Sequence, residues 1–528
     1  MTTDVARKPA GRLAGRRQRH NPGRRRGAIA GPSLVGGIGM ALSLPPWGFW
    51  VLGPLGAGVV WWRLGGLPAR SRMLAGWAAG IGLFGPGLFW ALSFNLAGGV
   101  VLILLESSAI GLAAWAAPGG QGRMLALPGS MVLAEALRDT WPLGGLPLGS
   151  VALGQADGPL LAADRIGGPL LVVGLVWLLG AGGGTFAVSA GHRIRRVGPH
   201  QVVSAAVAGL AVVGCVAATL VAGHLAPDGG RAVRTIRVAA VQGGGARGLR
   251  KGQVDPTVVY QAQQAATAAI AAHDGGRPPS LVVWPEDVVS IGTPLGWDPK
   301  VESALGSTAA SLDATLTVGL TETVSSTAFR NEIVAFAPDG SLVSRVEKVH
   351  RVPFGEYVPW RGVLRHLVSL SAVPLDAIPG HSNEVLHTPA GPLATLISYE
   401  VFFADRGRGA TRAGAQLLLV PTNTSSYATS QVPTQEIAAS RLQAVAEGRD
   451  LVQAAPTGYS AFVGHDGRVR ARSVLGHRQV IVRDVGLRTG ATIYARFGDW
   501  PVLAAGTLLL VAGRLAGRLR HRLKRRQS

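Results

Sequence analysis

The sequence has a single cysteine, Cys215, in 528 residues. One thiol excludes a disulfide within the chain and a zinc site built from several cysteines. Cys215 lies in the apolar run 202–221, and a cysteine in such a run usually packs as a small hydrophobe. We therefore expect Cys215 to be buried, and we expect neither a metal nor a cofactor in this protein.

Charged residues are also scarce, at 15% of the chain, whereas hydrophobic residues make up 48% and the mean hydropathy is +0.29. These values are typical of an integral membrane protein with a sizeable water-exposed part. The net charge of +22 would suit nucleic acid binding, but the basic residues concentrate in terminal tails and in short loops between apolar runs. Membrane topology accounts for that distribution, so we expect no nucleic acid partner.

Apolar runs long enough for membrane helices occur before residue 224 and once near the C-terminus. A single span needs about 20 residues, so the run 28–62, which Pro45 and Pro46 interrupt, suits a tight pair of helices. We predict an α-helical membrane bundle of about eight spans, with seven in a membrane domain at 28–223. The run 28–62 supplies two of the eight spans, and the other six come from the runs 73–94, 96–117, 124–137, 168–190, 202–223 and 500–513.

The positions of the arginines orient these spans. With both termini in the cytoplasm, every arginine-rich short loop falls on the inside, as the positive-inside rule requires. The segment 231–490 then lies outside the cytoplasmic membrane of a bacterium, and we expect no cleavable signal peptide. The inside segments are the tail at 1–27, the loops at 63–72, 118–123 and 191–201, and the tail at 514–528.

Two features concern the outer edge of the membrane domain. Segment 139–167 is too apolar for a free loop, so we expect it at the outer membrane surface, beneath the polar domain. Glu135 stands at the end of a predicted span. It could be functional, because an acid in lipid is costly, or it could pair with Arg138, which follows three residues later.

The segment 231–490 has a different character from the rest of the chain. Short β-rich runs alternate with helical ones, and Asp-Gly turns mark hairpins, which predicts an α/β domain with α-β-β-α layers. We expect helices at 258–273 and 434–449. Strands are expected at 235–241, 281–284, 312–320, 332–336, 394–397, 417–420, 451–454 and 461–463.

Three polar residues follow apolar strands of this domain: Glu286, Lys348 and Ser398. A carboxylate can take a proton from a nucleophile and later return one to the leaving group. An ammonium can stabilise the oxyanion of a tetrahedral intermediate. These residue types suit acyl transfer, although each of the three taken singly could be an ordinary surface residue.

Longer motifs surround the same residues: Leu281-Val-Val-Trp-Pro-Glu286, Glu347-Lys-Val-His-Arg-Val-Pro-Phe-Gly-Glu-Tyr-Val-Pro359 and Ile397-Ser-Tyr-Glu400. Together they resemble the signature of the carbon–nitrogen hydrolase (nitrilase) superfamily, and in particular its membrane branch, the apolipoprotein N-acyltransferases. The resemblance extends over about residues 28–515. It implies a nitrilase-like sandwich domain inserted before the last of eight spans.

The resemblance also implies a two-step reaction without a cofactor. A phospholipid donates an acyl chain to the enzyme, which passes it to the N-terminal amine of a diacylglyceryl-modified lipoprotein. By this resemblance Glu286 is the general base and Lys348 the oxyanion residue. Glu356 helps to hold the lysine and position substrate, unless its role is purely structural, and Tyr399 and Glu400 flank the nucleophile.

Ser398 departs from the family, whose triad is Glu-Lys-Cys. A hydroxyl is far less acidic than a thiol and must lose its proton during attack. Ser398 therefore either forms an oxygen ester or marks a catalytically impaired paralogue that binds lipids or lipoproteins. Such a paralogue could act as a scaffold, and a polyprenyl-phosphate mannose synthase could dock on its arginine-rich tails. A third possibility, an amidase for a small nitrogen compound, fits poorly with eight spans.

Overall fold

The computed structural model describes residues 22–120, 122–193, 199–245, 254–270, 277–366, 370–371, 373–381, 385–427 and 431–527. Most of the basic tail predicted at 1–27 lies outside these residues, as does the end of the helix predicted at 258–273. The described chain forms a helical bundle and an α/β domain.

The bundle contains helices at each predicted apolar run. The run 28–62 forms two helices separated at the two prolines, as expected. Four helical segments are long and apolar enough to cross a membrane: Leu96–Ala116, Pro159–Phe186, Val207–Leu225 and Trp500–Leu519. The helices of this part are α1 Pro22–Ser43, α2 Leu52–Arg63, α3 Ala69–Gly87, α4 Trp90–Phe94, α5 Leu96–Ala116, α6 Arg123–Arg138, α7 Asp164–Arg193 and α8 Pro199–Leu225.

Glycine allows these helices to approach one another closely. A Cβ atom at Gly37 of α1 would lie 2.0 Å from the carbonyl oxygen of Ala79 on α3, and one at Gly82 of α3 would lie 2.3 Å from Leu34 O. Backbones this close leave no room for a side chain, so small residues decide where the two helices touch. This is the packing mode of helices in lipid.

The expectation that Cys215 is buried was wrong. Val212 and Val216 are buried on α8, and Val212 faces Gly182 of α7. Cys215 lies outside that stripe and is exposed on the helix surface. In a helix the contact face holds residues three and four apart, and an apolar sequence does not reveal which face that is.

The α/β domain contains two sheets. The first has the order β14-β1-β2-β4-β5-β6, with β3 beside β4 and β7 beside β5, and the second has the order β13-β12-β11-β10-β9-β8. The strands are β1 Arg234–Gln242, β2 Leu281–Val283, β3 Val289–Ile291, β4 Thr315–Ser325, β5 Ala328–Phe336, β6 Leu342–Glu347, β7 Asp376–Ala377, β8 Val385–Thr388, β9 Gly391–Thr395, β10 Leu417–Pro421, β11 Leu451–Ala454, β12 Ala461–Val463, β13 Val469–Arg472 and β14 Gln479–Leu487.

The remaining helices are α9 Pro256–Thr267, α10 Pro299–Leu312, α11 Arg361–Leu364, α12 Ala404–Arg412, α13 Val432–Glu447, α14 Ile493–Phe497 and α15 Trp500–Gln527. The strand predicted at 312–320 begins three residues later, because Leu312 ends α10 and Asp313 turns the chain in the left-handed region, with φ 46°.

The two sheets face each other across a core that includes Val238, Val283, Leu393 and Leu419. The outer face of the first sheet packs against α9 and α10. The outer face of the second sheet joins α13 and the membrane helices in one continuous apolar cluster. The α-β-β-α layering is therefore observed, and one of its helical layers is shared with the bundle.

Polar contacts join the domain to the bundle. Gln435 of α13 donates to Gly87 O (3.0 Å) and accepts from Gly149 N (3.2 Å), while Gln431 donates to Pro86 O. Gly149 belongs to the segment 139–167, which therefore lies beneath the α/β domain, as its composition indicated. The domain is thus fixed against the end of α3 and the segment 139–167.

Candidate active site

Lys348 is the centre of the site. It follows β6, and its Nζ lies 2.8 Å from Glu286 Oε1 and 2.8 Å from Glu356 Oε1. Its side chain is 2% exposed. Glu286 comes three residues after β2 and Glu356 eight residues after Lys348, so a strand end and one loop supply the two carboxylates. The structure therefore brings together three of the residues that the sequence predicted.

Asn331 of β5 completes this group. Its Nδ2 donates to Glu286 Oε1 (2.9 Å) and to Glu356 Oε1 (3.1 Å). Glu356 Oε2 accepts from Val352 N at 2.8 Å. One oxygen of each carboxylate thus meets both the ammonium and the amide. Glu356 holds the lysine and also closes the loop that follows it.

The electrostatics favour a protonated lysine. Burial opposes the charge on Lys348, but Glu286 and Glu356 outweigh it and raise the pKa of Lys348. Burial also raises the pKa of Glu286, although Lys348 opposes that shift. An ammonium has three N–H donors, and the two carboxylates use two of them. Among the described residues Lys348 Nζ has no further hydrogen-bond partner, so its third N–H can stabilise an oxyanion that forms beside it.

Ser398 begins a 3-10 turn, Ser398–Phe402, directly after the second sheet's β9. Its φ is 53°, in the left-handed region that a residue with a side chain rarely adopts. Such a conformation costs on the order of 1–3 kcal/mol and persists only where the surroundings fix it. The side chain is partly exposed, and its Oγ lies 3.2 Å from Thr422 Oγ1. The turn therefore places the hydroxyl of Ser398 next to that of Thr422.

Glu400 links the serine turn to the lysine segment. Its Oε1 accepts from Val349 N (2.8 Å) and His350 N (3.1 Å), and its Oε2 accepts from Ile397 N (2.9 Å). Glu400 is fully buried. Within the described residues Ser398 makes no hydrogen bond with Glu286, Lys348 or Glu356, so this carboxylate is what places the two halves of the site next to each other.

Tyr399 links the same turn to the membrane domain. Its hydroxyl donates to Gly145 O at 2.8 Å, and Tyr357 donates similarly to Leu143 O at 3.2 Å. Burial raises the pKa of Tyr399, so its hydroxyl stays a neutral donor. The residue after Ser398 is therefore attached to the segment 139–167, which follows α6.

A cavity of about 270 Å³ lies at this junction. Its walls come from the segment 139–167 (the membrane segment) and from the loop after Lys348, with both polar and aromatic side chains. They are Leu143, Gly144, Gly145, Val349, His350, Arg351, Tyr357, Tyr399 and Phe403. No group of three His, Cys, Asp or Glu side chains within the described ranges is arranged to hold a metal ion.

Two acids of this region were missed by sequence reasoning. Glu436 of α13 hydrogen-bonds Thr422, and Glu106 of α5 pairs with Arg138 at 2.6 Å. The predicted pair of Glu135 with Arg138 is present at 2.8 Å. Glu106 stands inside an apolar helix, and that unfavourable placement was an available signal. Glu436 lies in a helix that contains several other polar residues, so nothing local singled it out.

Family models match two parts of the chain: the "Apolipoprotein N-acyltransferase N-terminal domain" over residues 36–182 and "Carbon-nitrogen hydrolase" over residues 237–494. An apolipoprotein N-acyltransferase of Mycolicibacterium smegmatis is 29% identical over 94% of this chain and 87% of its own length. One from Pseudomonas paraeruginosa is 29% identical over 93% of this chain and 97% of its own.

Among solved structures, a carbon–nitrogen hydrolase from Helicobacter pylori aligns with 51% of this chain and 95% of its own, at 16% identity and a TM-score of 0.38. The two family models match adjoining parts of the sequence, and the curated relatives align with nearly all of it. The chain therefore belongs to the apolipoprotein N-acyltransferase family, the membrane branch of the carbon–nitrogen hydrolase superfamily.

Proposed function

We propose that this protein is an apolipoprotein N-acyltransferase that forms an acyl ester on Ser398. The acyl chain comes from a membrane phospholipid and passes to the N-terminal amine of a diacylglyceryl-modified lipoprotein. The main support is the buried ammonium of Lys348 between Glu286 and Glu356, beside a cavity that the membrane segment and the α/β domain share.

In the first step Ser398 Oγ attacks the ester carbonyl carbon of the phospholipid, and Glu286 accepts the serine proton. The carbonyl oxygen becomes an oxyanion, which the remaining N–H of Lys348 stabilises. The intermediate then expels the lysophospholipid oxygen, and that oxygen takes the proton from Glu286. The acyl chain is left on Ser398 as an oxygen ester.

In the second step the lipoprotein amine attacks the ester carbonyl of acyl-Ser398. Glu286 takes a proton from the amine, Lys348 again stabilises the oxyanion, and the serine oxygen leaves as it regains the proton from Glu286. An amide forms and the enzyme is restored. Glu356 positions Lys348 in both steps, while Glu400 and Tyr399 hold the serine turn against the lysine segment and the membrane segment.

Eight spans with both termini in the cytoplasm would place the α/β domain at 231–490 outside the membrane, where diacylglyceryl-modified lipoproteins reside. The helices at each apolar run support this topology. The chemistry also favours it, because a two-chain lipid and a lipidated peptide both reach the cavity from the bilayer side. The same topology would place the arginine-rich tails in the cytoplasm. Docking of a polyprenyl-phosphate mannose synthase on these tails stays a prediction.

Mass spectrometry of the full-length protein tests the reaction. After incubation with vesicles of phosphatidylethanolamine and phosphatidylglycerol, we expect the peptide that contains Ser398 to gain the mass of one acyl chain. Ser398→Ala and Glu286→Gln should abolish the gain. Ser290→Ala, which changes an exposed serine on β3, should not affect it.

Ser398→Cys separates this function from the impaired-paralogue alternative. A thiolate is a better nucleophile than a hydroxyl at neutral pH. If the wild-type protein acquires no acyl mass while Ser398→Cys does, the fold retains a competent site that the natural serine leaves idle, and the proposed reaction is wrong for this chain.

A further inference from the structure

A second buried acid, Glu436 of α13, is connected to Ser398 through one side chain. Thr422, just past β10, has its Oγ1 3.2 Å from Ser398 Oγ and also shares a hydrogen bond with Glu436 Oε1. Thr422 is fully buried and Glu436 is 1% exposed. A serine, a threonine and a carboxyl group thus form one hydrogen-bonded chain that begins at the reacting oxygen.

The far end of the chain is fixed by a neutral amide. Gln453 Nε2 donates to Glu436 Oε2 (3.2 Å) and to Tyr459 O (2.8 Å), and Gln453 Oε1 accepts from Ser440 Oγ (2.7 Å). These contacts determine which end of the Gln453 amide faces Glu436. Within the described residues no cation forms an ion pair with Glu436, so nothing there repays the cost of burying a carboxylate.

Few charges act on Glu436. Burial raises its pKa to about 8, and of the nearby charges Glu286 favours the neutral form while Lys348 favours the ionised form. Its contacts from β10 and β11, Thr422 and Gln453, are neutral. Toward the bundle, α13 presents Gln431 and Gln435 rather than Glu436. Arg408 of α12 acts on Glu447, about three helical turns away.

When Glu436 is neutral, both hydrogen bonds between Glu436 and Ser398 are donated toward Ser398. Its carboxylic O–H donates to Thr422 Oγ1, which leaves the Thr422 hydroxyl free to donate to Ser398 Oγ. The serine proton then points away from Thr422 and is available to Glu286. With Glu436 ionised, the one proton of the Thr422 hydroxyl turns to the carboxylate, because a hydroxyl donates to only one acceptor at a time.

We propose that Glu436 in its neutral form is a positioning residue that keeps Thr422 donating to Ser398 Oγ, and so adapts this site to an oxygen nucleophile. The proposal rests on the acyl transfer proposed above. Negative charge gathers on Oγ as its proton moves to Glu286, and again when Oγ leaves acyl-Ser398. A donor aimed at that oxygen stabilises both states. An oxygen needs such help more than a sulfur, which carries negative charge readily near neutral pH.

The test measures the first step alone, as the rate at which acyl mass appears on Ser398 in phospholipid vesicles between pH 6 and 10. Wild-type acylation should fall as pH rises through about 8, because Glu436 ionises there. Glu436→Gln retains a neutral N–H donor that does not ionise. It should keep the rate at pH 7 within a few-fold and lose the decline near pH 8.

Matched variants separate this role from plain packing. Thr422→Val removes the donor and should slow acylation about 10²-fold, whereas Thr422→Ser should restore most of it. Thr327→Val, on an exposed turn, should have no effect. In Ser398→Cys, the same Thr422→Val change should cost only a few-fold, because the thiolate needs less stabilisation.

The outcomes distinguish this inference from the proposed function. If acyl-Ser398 forms but Thr422→Val keeps the wild-type rate, or Glu436→Gln keeps the wild-type decline near pH 8, the role of Glu436 is refuted and the acyl transfer stands. If acyl mass never appears on Ser398 in the wild-type protein, both proposals are refuted.

Discussion

Two buried cations in this protein are each held between two carboxylates. In the membrane domain Arg138 lies 2.6 Å from Glu106 and 2.8 Å from Glu135. In the α/β domain Lys348 lies 2.8 Å from Glu286 and 2.8 Å from Glu356. The side chains of both cations are 2% exposed. Distance and burial alone therefore do not tell a structural ion cluster from a catalytic one.

The two cations differ in what they bind. Arg138 Nη2 donates to Leu146 O and Leu148 O, both at 2.9 Å, so two of its five N–H groups hold backbone carbonyls. Among the described residues Lys348 Nζ donates only to the two carboxylates, and the next residue, Val349, lines the cavity. Arg138 therefore ties its carboxylates to a backbone segment and fixes the fold, whereas Lys348 lies beside a space that a substrate can enter.

The largest effect that this comparison predicts is on stability. Arg138→Met leaves Glu106 and Glu135 without their cation and two carbonyl groups of the membrane segment without a donor. Breaking a buried ion pair by removing one partner costs about 3–5 kcal/mol. We expect a correspondingly lower unfolding midpoint for the purified protein in detergent, measured by intrinsic tryptophan fluorescence against denaturant.

Arg277→Met is the matched control. Arg277 pairs with Asp484 at 2.8 Å, but its side chain is 67% exposed, and exposed pairs contribute about 0–1 kcal/mol. If Arg138→Met is as stable as Arg277→Met and loses only acyl transfer, Arg138 belongs to the catalytic apparatus and the contrast between the two clusters fails.

Lys348→Met should show the opposite pattern, in which the acylation rate falls more than the stability of the folded protein does. Without the ammonium the oxyanion loses its donor, which costs about 10²–10³ in rate, or about 2.7–4 kcal/mol of barrier. The fold suffers less because the pKa of Glu286, already raised by burial, allows it to take up a proton. The rate of acyl addition to Ser398, normalised to folded protein, is the measurement.

Lys300→Met, on the exposed face of α10, should leave that rate unchanged. A Lys348→Met protein that acylates Ser398 at the wild-type rate would assign the oxyanion to another donor. If the Lys348→Met protein no longer folds, Lys348 has the same structural role as Arg138, and the difference in what the two cations bind then carries no functional meaning.

The sequence indicated the residues of the cluster around Lys348 better than those of the cluster around Arg138. Glu286, Lys348 and Glu356 occur in motifs with a fixed order, and strand ends that meet at one sheet edge can be inferred from apolar runs. Alternating strands and helices also predicted the layered domain, although the strand expected at 312 began only after the left-handed turn at Asp313.

What escaped prediction depends on contacts between distant parts of the chain. Glu135 and Arg138 are three residues apart, so helix geometry alone pairs them. Glu106 reaches Arg138 across 32 residues, and Glu436 reaches Thr422 across 14 residues. Neither pairing follows from a local pattern. The exposed position of Cys215 escaped for the same reason, because helix packing selects the buried face.

The smallest predicted effect concerns the connection between the two clusters. Arg138 donates to Leu146 O, Gly145 is the preceding residue, and the Gly145 carbonyl accepts from Tyr399, the neighbour of Ser398, at 2.8 Å. Tyr399→Phe removes only that hydrogen bond, which contributes about 0.5–1.5 kcal/mol. If the connection positions Ser398, acyl transfer should fall about five-fold, since 1.36 kcal/mol corresponds to ten-fold in rate.

Tyr260→Phe distinguishes positioning from general stability. The Tyr260 hydroxyl accepts from Gln264 Nε2 at 2.7 Å on α9, on the far side of the first sheet from the bundle. Its loss should lower stability by a similar amount without slowing acylation. Equal acylation rates for the two variants would mean that the cluster around Arg138 fixes the membrane segment but does not influence the site around Lys348. A slower Tyr399→Phe would make the hydroxyl of Tyr399 the link by which the membrane domain positions the nucleophile.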